Sequence, residues 1–305
     1  MDSKKVKASI SRYSAWAGLK ICSLIMKVAP LRGVYAFARV LGTWGFRLIG
    51  RQRRIALNSL TIAFGNEKSK AEIERIARDC FILMAKSGFE LLFLMDRPAL
   101  VEKMAVIVGK EYLDKSLMRG KGVILVSAHF GNFPLLLARL SLAGYKAGGI
   151  MRTMRDARTE KVFLDARNRF KIRTIYSQPR SVCVNTTIQA LRNNELVFIP
   201  LDQNFGTGGI FVDFFGTKAA TATGPVILAQ RTGAALLPCF IVRQPDDSHK
   251  IIFEPPIDVA KDTRDGNALQ GTIQKLTDII EFYIRRYPAE WGWVHKRWKS
   301  RPTGN

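Results

Sequence analysis

Cysteine is scarce in this chain. Cys22, Cys80, Cys183 and Cys239 lie far apart and form no C-x-x-C pair. That pattern argues against a disulfide scaffold or a thioredoxin-like centre and fits reduced, mostly buried thiols in a cytoplasmic compartment. Histidine is scarcer still: His129, His249 and His295 are too few and too dispersed for a zinc site, so no metal is expected. Acid is in short supply, with 25 Asp plus Glu against 48 Lys plus Arg, a formal net charge of +23. Long uncharged apolar runs are missing too. A membrane-spanning helix needs roughly 20 predominantly apolar residues; the apolar stretch from Ala15 to Gly50 is interrupted by Lys20, Lys27, Arg32, Arg39 and Arg47. No small-residue cleavage pattern follows a clean apolar run, so no cleavable signal peptide is expected.

What remains is enough for a folded domain. Hydrophobic residues make up 47% and charged residues 24% of the 305 positions, which supports a real core in one large domain, or one domain with a helical appendage. The basic excess needs a use, since self-repulsion destabilises a compact state. Nucleic acid, an anionic membrane surface or an acidic carrier protein would each supply one. Lys20 and Lys27, like Arg32 and Arg39, are almost two helical turns apart, so each pair falls on one narrow stripe. Trp16, Leu19, Leu24, Ile25 and Met26 surround the first stripe; Tyr35, Phe37, Val40, Leu41, Trp44 and Phe46 surround the second. Such helices suit a membrane interface, with basic side chains reaching the headgroups; they equally suit amphipathic helices packed on a core.

Helical patterns run from about Ser11 to Val28, Leu31 to Arg47, through RQRRIALNSLTIAF, and from Ser69 to Met95, with Ser69 as cap and Pro98 just beyond the end. The character changes at Lys121. Gly122 to Ala128 reads as a buried strand, followed at once by HFGNFP and the helical LLLARLSLAG. Further short apolar runs lie near Ala147 to Met151, Ile172 to Tyr176, Leu196 to Leu201, Ala235 to Val242 and Lys250 to Glu254. Helical patterns over Thr159 to Phe170, Val182 to Asn193 and Thr223 to Arg231 separate several of them, and a last helix covers about Asn267 to Tyr287. This alternation predicts an α/β fold with a mixed, mostly parallel sheet flanked by helices. The turn PDDSH, Pro245 to His249, predicts that the last two strands are antiparallel.

Three places could carry chemistry. His129 lies where a strand gives way to a helix, beside Gly131 and Asn132, and ligands of open α/β sheets bind outside the carboxyl ends of strands. Asn132 is placed to cap that helix, whose free N–H groups could stabilise an oxyanion; the alternative is an incidental histidine. Asp202 to Gly216 is a polar, glycine-rich stretch directly after the strand LVFIPL. Asp202 and Asn204 there could orient a histidine or bind a hydroxyl, or simply form an Asx-rich turn. Gly206, Gly208 and Gly209 lack the spacing of a dinucleotide fingerprint. Arg152, Arg155, Arg158, Arg167 and Arg169 could hold phosphates or form a solvated helix face. The tail WGWVHKRWKSRP mixes Trp with Lys and Arg, as suits lipid headgroups or nucleic acid.

Together these segments resemble the bacterial lipid A biosynthesis acyltransferases, the late lauroyl and myristoyl transferases, relatives of the lysophospholipid acyltransferases. Four blocks carry the likeness: SAHFGNF (Ser127 to Phe133), Gly148 to Phe170, Asp202 to Phe240, and YPAEWGWVHKRWKSRP (Tyr287 to Pro302). RRIALNSLTIAF looks like the family's N-terminal block. The resemblance implies a glycerolipid acyltransferase-like core over residues 51–305 and membrane-associated helices over residues 1–50. It implies transfer of a fatty acyl group from an acyl carrier protein thioester, or acyl-CoA, to a hydroxyl of a lipid A precursor or related glycolipid, with no other cofactor. It also implies a peripheral or monotopic enzyme on the cytoplasmic face of the inner membrane, with acyl carrier protein as partner and no nucleic acid. His129 matches the family's general base, and Asp202 is the candidate to orient it. Gly131, Asn132, Arg152, Arg155, Gln203 and Asn204 are expected at the substrate, with Arg152 matching a family arginine expected to hold a substrate phosphate.

One departure matters. The family's histidine is followed after four residues by Asp or Glu; here that position is Pro134. Proline fits the first turn of a helix without harm, but the usual partner of the imidazole is gone. Asp202 or a backbone carbonyl could replace it, or the chain could be a non-catalytic lipid-binding relative. A lysophospholipid or aminolipid acyltransferase is a rival within the same chemistry, and a nucleic-acid binder a rival from charge alone.

Overall fold

A computed structural model describes residues 3–259 and 266–302, with the side chains of residues 3–11 and 207 left aside. The sheet has seven strands in the order β1 (Ala105–Val108), β9 (His249–Phe253), β8 (Ala235–Arg243), β2 (Val123–Ser127), β5 (Leu196–Pro200), β3 (Ala147–Met151) and β4 (Arg173–Tyr176). All neighbours are parallel except β8 and β9, which pair antiparallel around the 244–248 turn. The mixed, mostly parallel sheet flanked by helices is the expected architecture.

The strands are apolar on both faces because helices cover both, as parallel sheets require. β2 shows the division. Ile124 and Val126 pack with α3 (Gly50–Phe64), the first half of α4 (Lys70–Leu94), α9 (Arg180–Arg192), α10 (Gly224–Thr232) and α11 (Gly266–Arg286). Val123 and Leu125 pack with α5 (Pro98–Met104), α6 (Lys110–Leu117) and α7 (Phe133–Leu142), alongside residues of α1 (Ser3–Val28) and α2 (Leu31–Leu48). Ser69 caps α4 through a complete capping box with Glu72. α8 (Ala157–Arg169) starts at Asp156, whose side chain accepts the Arg158 and Thr159 N–H groups.

Helix α2 runs against α4 rather than standing apart from it. Its buried face is Val34, Tyr35, Ala38, Gly42 and Phe46, and a Cβ at Gly42 would lie 2.5 Å from the Ile82 Cα, so the two backbones touch. The opposite face stays out: Phe37, Val40, Leu41, Trp44 and Leu48 are exposed, as are Ile21, Leu24, Ile25 and Val28 of α1. Among the described residues no helix is long and apolar enough to cross a membrane. All four cysteines are free thiols, three of them buried.

Two readings of the sequence need correction. The stretch after Asp202 is not a simple turn: Ile210–Phe214 (β6) and Thr217–Thr221 (β7) form an antiparallel hairpin of their own. The tryptophans of the tail do not form a surface for headgroups or nucleic acid. Trp291, Trp293, Arg297 and Trp298 are buried, because the tail folds back through a cluster of aromatic edges with Phe64, Phe214 and Phe215.

Candidate active site

His129 and Asp202 come together at the carboxyl ends of neighbouring strands, β2 and β5. Leu201 donates its N–H to the Ser127 carbonyl, extending the register just past the strands, and so sets Asp202 beside His129. The carboxylate is fully occupied: Oδ1 lies 2.9 Å from His129 Nδ1, while Oδ2 accepts the His129 backbone N–H at 3.0 Å and the Trp291 indole N–H at 2.8 Å. Burial alone would raise the Asp202 pKa, but the hydrogen bond and charge of His129, then His295 and Trp291, outweigh it and hold the group well below the usual carboxylate range. Burial likewise works against a proton on His129, and the Asp202 hydrogen bond and charge reverse it, so its pKa is raised above 6.5.

An ionised carboxylate only accepts, so the proton of neutral His129 sits on Nδ1 and the Nε2 lone pair points outward. The amide nitrogen of Gln203 occupies that lone pair's direction at 3.3 Å. Both groups line a pocket of about 370 Å³ with Gly131, Asn132, Phe133, Pro134, Glu290 and His295 on one side and Leu83, Met84, Ser87, Gly88 and Leu91 of α4 on the other. A second, strongly apolar cavity of about 270 Å³ adjoins it; Leu91, Phe133 and Pro134 line both. Met95, Leu137, Ala138, Met151, Phe163 and Phe170 complete most of its wall.

Gly131 is required for the turn after His129. Its φ is +55°, and a Cβ there would stand 2.1 Å from the Ile241 carbonyl oxygen. Asn132 does not cap α7 as its position suggested. Its side chain turns away and donates to Glu90 Oε2 at 2.7 Å, because Glu90 is a fully buried carboxylate that gathers every donor in reach. Arg243 binds it through both terminal nitrogens at 2.8 and 2.9 Å, His249 Nε2 lies 3.0 Å away, and Tyr35 donates its hydroxyl. Burial pushes the Glu90 pKa up, yet His249 and Arg243 bring it down to about 2.

The remaining residues expected at the substrate are more scattered. Arg152 is exposed and lines the apolar cavity, not the pocket with His129. Arg155 is exposed nearby. Arg158, Arg167 and Arg169 are paired with Asp156, Glu160 and Asp96. Asn204 exchanges hydrogen bonds with Ser300 and so ties the tail to the loop after β5. Among the described residues no cluster of His, Cys, Asp and Glu could hold a metal ion.

Sequence reasoning missed Trp291, Arg297 and Glu90. Trp291 is the second donor to Asp202, and buried Arg297 donates to the backbone oxygens of Gln203 and Ala220, fixing the loop that carries Gln203. A lone Glu in the apolar run FELLFL was the one available signal for Glu90.

The model of one family, described as bacterial lipid A biosynthesis acyltransferase, matches residues 1–300. The chain belongs to that family. It is therefore an acyltransferase, and its similarity to named relatives extends across the whole fold. The lipid A biosynthesis lauroyltransferase of Escherichia coli (strain K12) is 24% identical over 311 residues, covering 96% of this chain and 93% of its own length. The lipid A biosynthesis palmitoleoyltransferase of the same organism is 25% identical over 299 residues, with the same coverage. A phosphatidylinositol mannoside acyltransferase of Mycobacterium tuberculosis (strain CDC 1551 / Oshkosh) is 27% identical over 228 residues, covering 73% of this chain and 67% of its own. In this lipid A acyltransferase family member, Pro134 stands at the first turn of α7 on the wall shared by the two cavities.

Proposed function

We propose that this chain transfers a fatty acyl group from an acyl carrier protein thioester, or acyl-CoA, to a hydroxyl of a lipid A precursor or related glycolipid, with His129 as general base and Asp202 as its orienting partner. One observation carries the proposal: an imidazole locked by a buried carboxylate, its free nitrogen aimed into a pocket joined to an apolar cavity. The acceptor hydroxyl displaces the Gln203 amide and gives its proton to His129 Nε2 as its oxygen attacks the thioester carbonyl. The negative charge of Asp202 stabilises the imidazolium that forms, as in triads built on the same logic. The oxyanion of the tetrahedral intermediate lies near the positive end of α7, whose first residues Phe133 and Pro134 line the pocket. Collapse breaks the C–S bond, and the proton on His129 passes to the departing thiolate, leaving an ester, a thiol and the enzyme unchanged.

The acyl chain lies in the apolar cavity and reaches the pocket past Leu91, Phe133 and Pro134. The exposed apolar face of α1 and α2, with Lys20, Lys27, Arg32, Arg39 and Arg47 among it, rests on an anionic membrane surface; in a bacterium with lipid A this is the cytoplasmic face of the inner membrane. Residues 1–50 serve as the membrane-associated part and residues 51–305 as the acyltransferase domain. Arg152 and Arg155, exposed beside the apolar cavity, are available to an acceptor phosphate, and the basic surface suits an acidic carrier protein.

The test uses purified full-length protein, lauroyl-acyl carrier protein and a lipid A precursor in mixed micelles. Expected are thiol release and a product heavier by one lauroyl group, both lost in His129→Ala. Absence of thiol release with every hydroxylated glycolipid tried would instead favour a lipid-binding relative, the reading suggested by Pro134.

A further inference from the structure

A second carboxyl stands in the same pocket as His129 without taking part in the proton transfer just described. Residues 290–292 pair with residues 129–131: Gly131 donates its N–H to the Glu290 carbonyl at 2.9 Å, Gly292 donates to the His129 carbonyl at 3.2 Å, and Phe130 and Trp291 form the bridge between them. Side chains alternate along paired strands. Phe130 and Trp291 accordingly turn into the core, fully buried, while His129, Gly131, Glu290 and Gly292 all line the pocket. The pairing that fixes the base thus also delivers Glu290 to the substrate's space.

The surroundings of Glu290 define what it can bind. Among the described residues, the hydrogen bond found on its carboxyl runs from the Arg243 backbone N–H to Oε1, at 3.2 Å. The Arg243 guanidinium is already matched by Glu90 and Asp247, and the Lys86 ammonium by Asp247 at 2.7 Å. Three carboxyls, Glu90, Asp247 and Glu290, therefore share two fixed cations, Arg243 and Lys86, with His249 and the Tyr35 hydroxyl held against Glu90. The surplus carboxyl is Glu290, since it alone has no cationic side chain bonded to it. Burial and the neighbouring acids Glu90 and Asp247, against the pull of Arg243, raise its pKa to about 7. A phosphate would be repelled by these acids, whereas a neutral group can donate to the carboxylate and both donate to and accept from its protonated form.

We propose that Glu290 is a substrate-binding residue: its carboxyl holds a neutral hydroxyl or amide of the bound substrate against the pocket wall while His129 receives the reacting hydroxyl. This rests on the acyltransferase reading above and adds a contact to it. The neutral group belongs either to the acceptor's sugar or to the pantetheine arm of the thioester donor, and both carry hydroxyls or amides.

Steady-state transfer distinguishes the two. With full-length protein, lauroyl-acyl carrier protein and lipid A precursor are varied in turn for wild type, Glu290→Ala and Glu290→Gln. Loss of one neutral hydrogen bond should raise KM in Glu290→Ala about five- to tenfold, with kcat within about threefold. The substrate whose KM moves identifies the source of the bonded group. Glu290→Gln, which keeps a donor and an acceptor, should stay close to wild type at pH 6. The same KM in wild type should shift as pH passes about 7, falling where the substrate group donates to the carboxylate and climbing where it accepts from the acid, and should stay flat in Glu290→Gln. That pH comparison decides the matter even where Glu290→Ala does not fold. Unchanged KM for both substrates in folded Glu290→Ala overturns the proposal, as does a wild-type KM that is flat with pH. Should wild type show no His129-dependent transfer at all, the acyltransferase mechanism fails separately. Tryptophan-fluorescence titration of wild type and Glu290→Ala at pH 6 with S-lauroyl-pantetheine and with the precursor then reads the contact directly, unchanged affinity of the variant for both ligands counting against it.

Discussion

Replacing Asp202 by Asn removes one charge and adds two hydrogens, and the geometry says where they go. In the wild type Oδ2 accepts two N–H groups, from the His129 backbone and the Trp291 indole, and Oδ1 faces the imidazole Nδ1. An amide has a single acceptor oxygen. Placed toward Nδ1, that oxygen leaves the NH₂ group pointing at two buried donors; placed toward the two donors, it turns the NH₂ group on Nδ1. The second arrangement satisfies more groups, and leaving a buried donor unpaired costs about 1–3 kcal/mol. It forces the imidazole proton from Nδ1 to Nε2, so the nitrogen facing the pocket no longer has a free lone pair.

The lost charge adds to the wrong tautomer. A carboxylate and an imidazolium about 4 Å apart interact by about 4 kcal/mol at an effective dielectric near 20, which is about three powers of ten in rate. Asp202→Asn is expected to lower kcat by about 10³ to 10⁴ while the near-ultraviolet spectrum and melting temperature stay close to wild type. Nitrogen-15 shifts of the His129 ring should report the Nε2–H tautomer. With Asp202 gone, burial acts on His129 unopposed, so its pKa should fall below 6.5 where the wild type lies above it. Full transfer activity in a folded Asp202→Asn protein would refute the orienting role, and an unchanged Nδ1–H tautomer would refute the hydrogen-bond argument behind it.

The wild-type pH profile follows from the same group. A base must be unprotonated, so kcat should rise with pH and level off above an apparent pKa higher than 6.5, measured from pH 5 to 9 at saturating substrate; a limb below 6.5 would contradict the raised value. The apolar cavity sets a second expectation. Ala166 and Phe163 both line it; Ala166→Leu narrows it and Phe163→Ala widens it, so competition between acyl donors of different length should move several-fold toward shorter and longer chains respectively, and identical preferences would place the acyl chain elsewhere. On the membrane face, Phe37→Ser with Trp44→Ser removes two exposed aromatic side chains that would enter the lipid interface, each worth about 1 kcal/mol or more. Sedimentation with anionic vesicles should then show at least tenfold weaker binding, with solution activity on detergent-dispersed substrate retained.

The parts of the fold legible in the sequence are those where pattern and environment agree. β2, β3, β5 and β8 are short apolar runs because both faces are covered, and the 244–248 turn announced the antiparallel β8–β9 pair. The edge strand β1 has four residues, too few for a period to show. The β6–β7 hairpin was hidden for a different reason. Its turn places Phe215 and Gly216 at φ +53° and +66°, a conformation usually signalled by Asn-Gly or Asp-Gly, and the residues before it read as a glycine-rich loop. At the site, His129 and Asp202 were legible because both follow strands directly. Glu90, Arg243, Trp291 and Glu290 come from a helix, a strand end and the tail, and only tertiary packing brings them together. The tail also shows why composition misleads: Trp beside Arg and Lys looks like an interface, yet Arg297 is buried with backbone oxygens and the Thr221 hydroxyl as its partners.

Pro134 ties these observations together. An acid at that position would project from the first turn of α7 into the wall shared by the two cavities, where Leu91 and Phe133 are its neighbours. A charge in that passage would be poorly solvated and would lie across the path assigned to the acyl chain. With proline there, the wall shared by the two cavities is apolar, and the carboxylate bonded to the imidazole is Asp202, at the carboxyl end of β5. Asp202 is the better solvated of the two sites in the electrostatic sense: three N–H groups replace the water it loses on burial, whereas Leu91 and Phe133, which line both cavities with Pro134, offer no side-chain donor. Glu290 likewise lines the pocket with His129 and not the apolar cavity, and its carboxyl accepts the Arg243 backbone N–H. On the proposed mechanism, Pro134 keeps the shared wall apolar while Asp202, at the carboxyl end of β5, holds the imidazole.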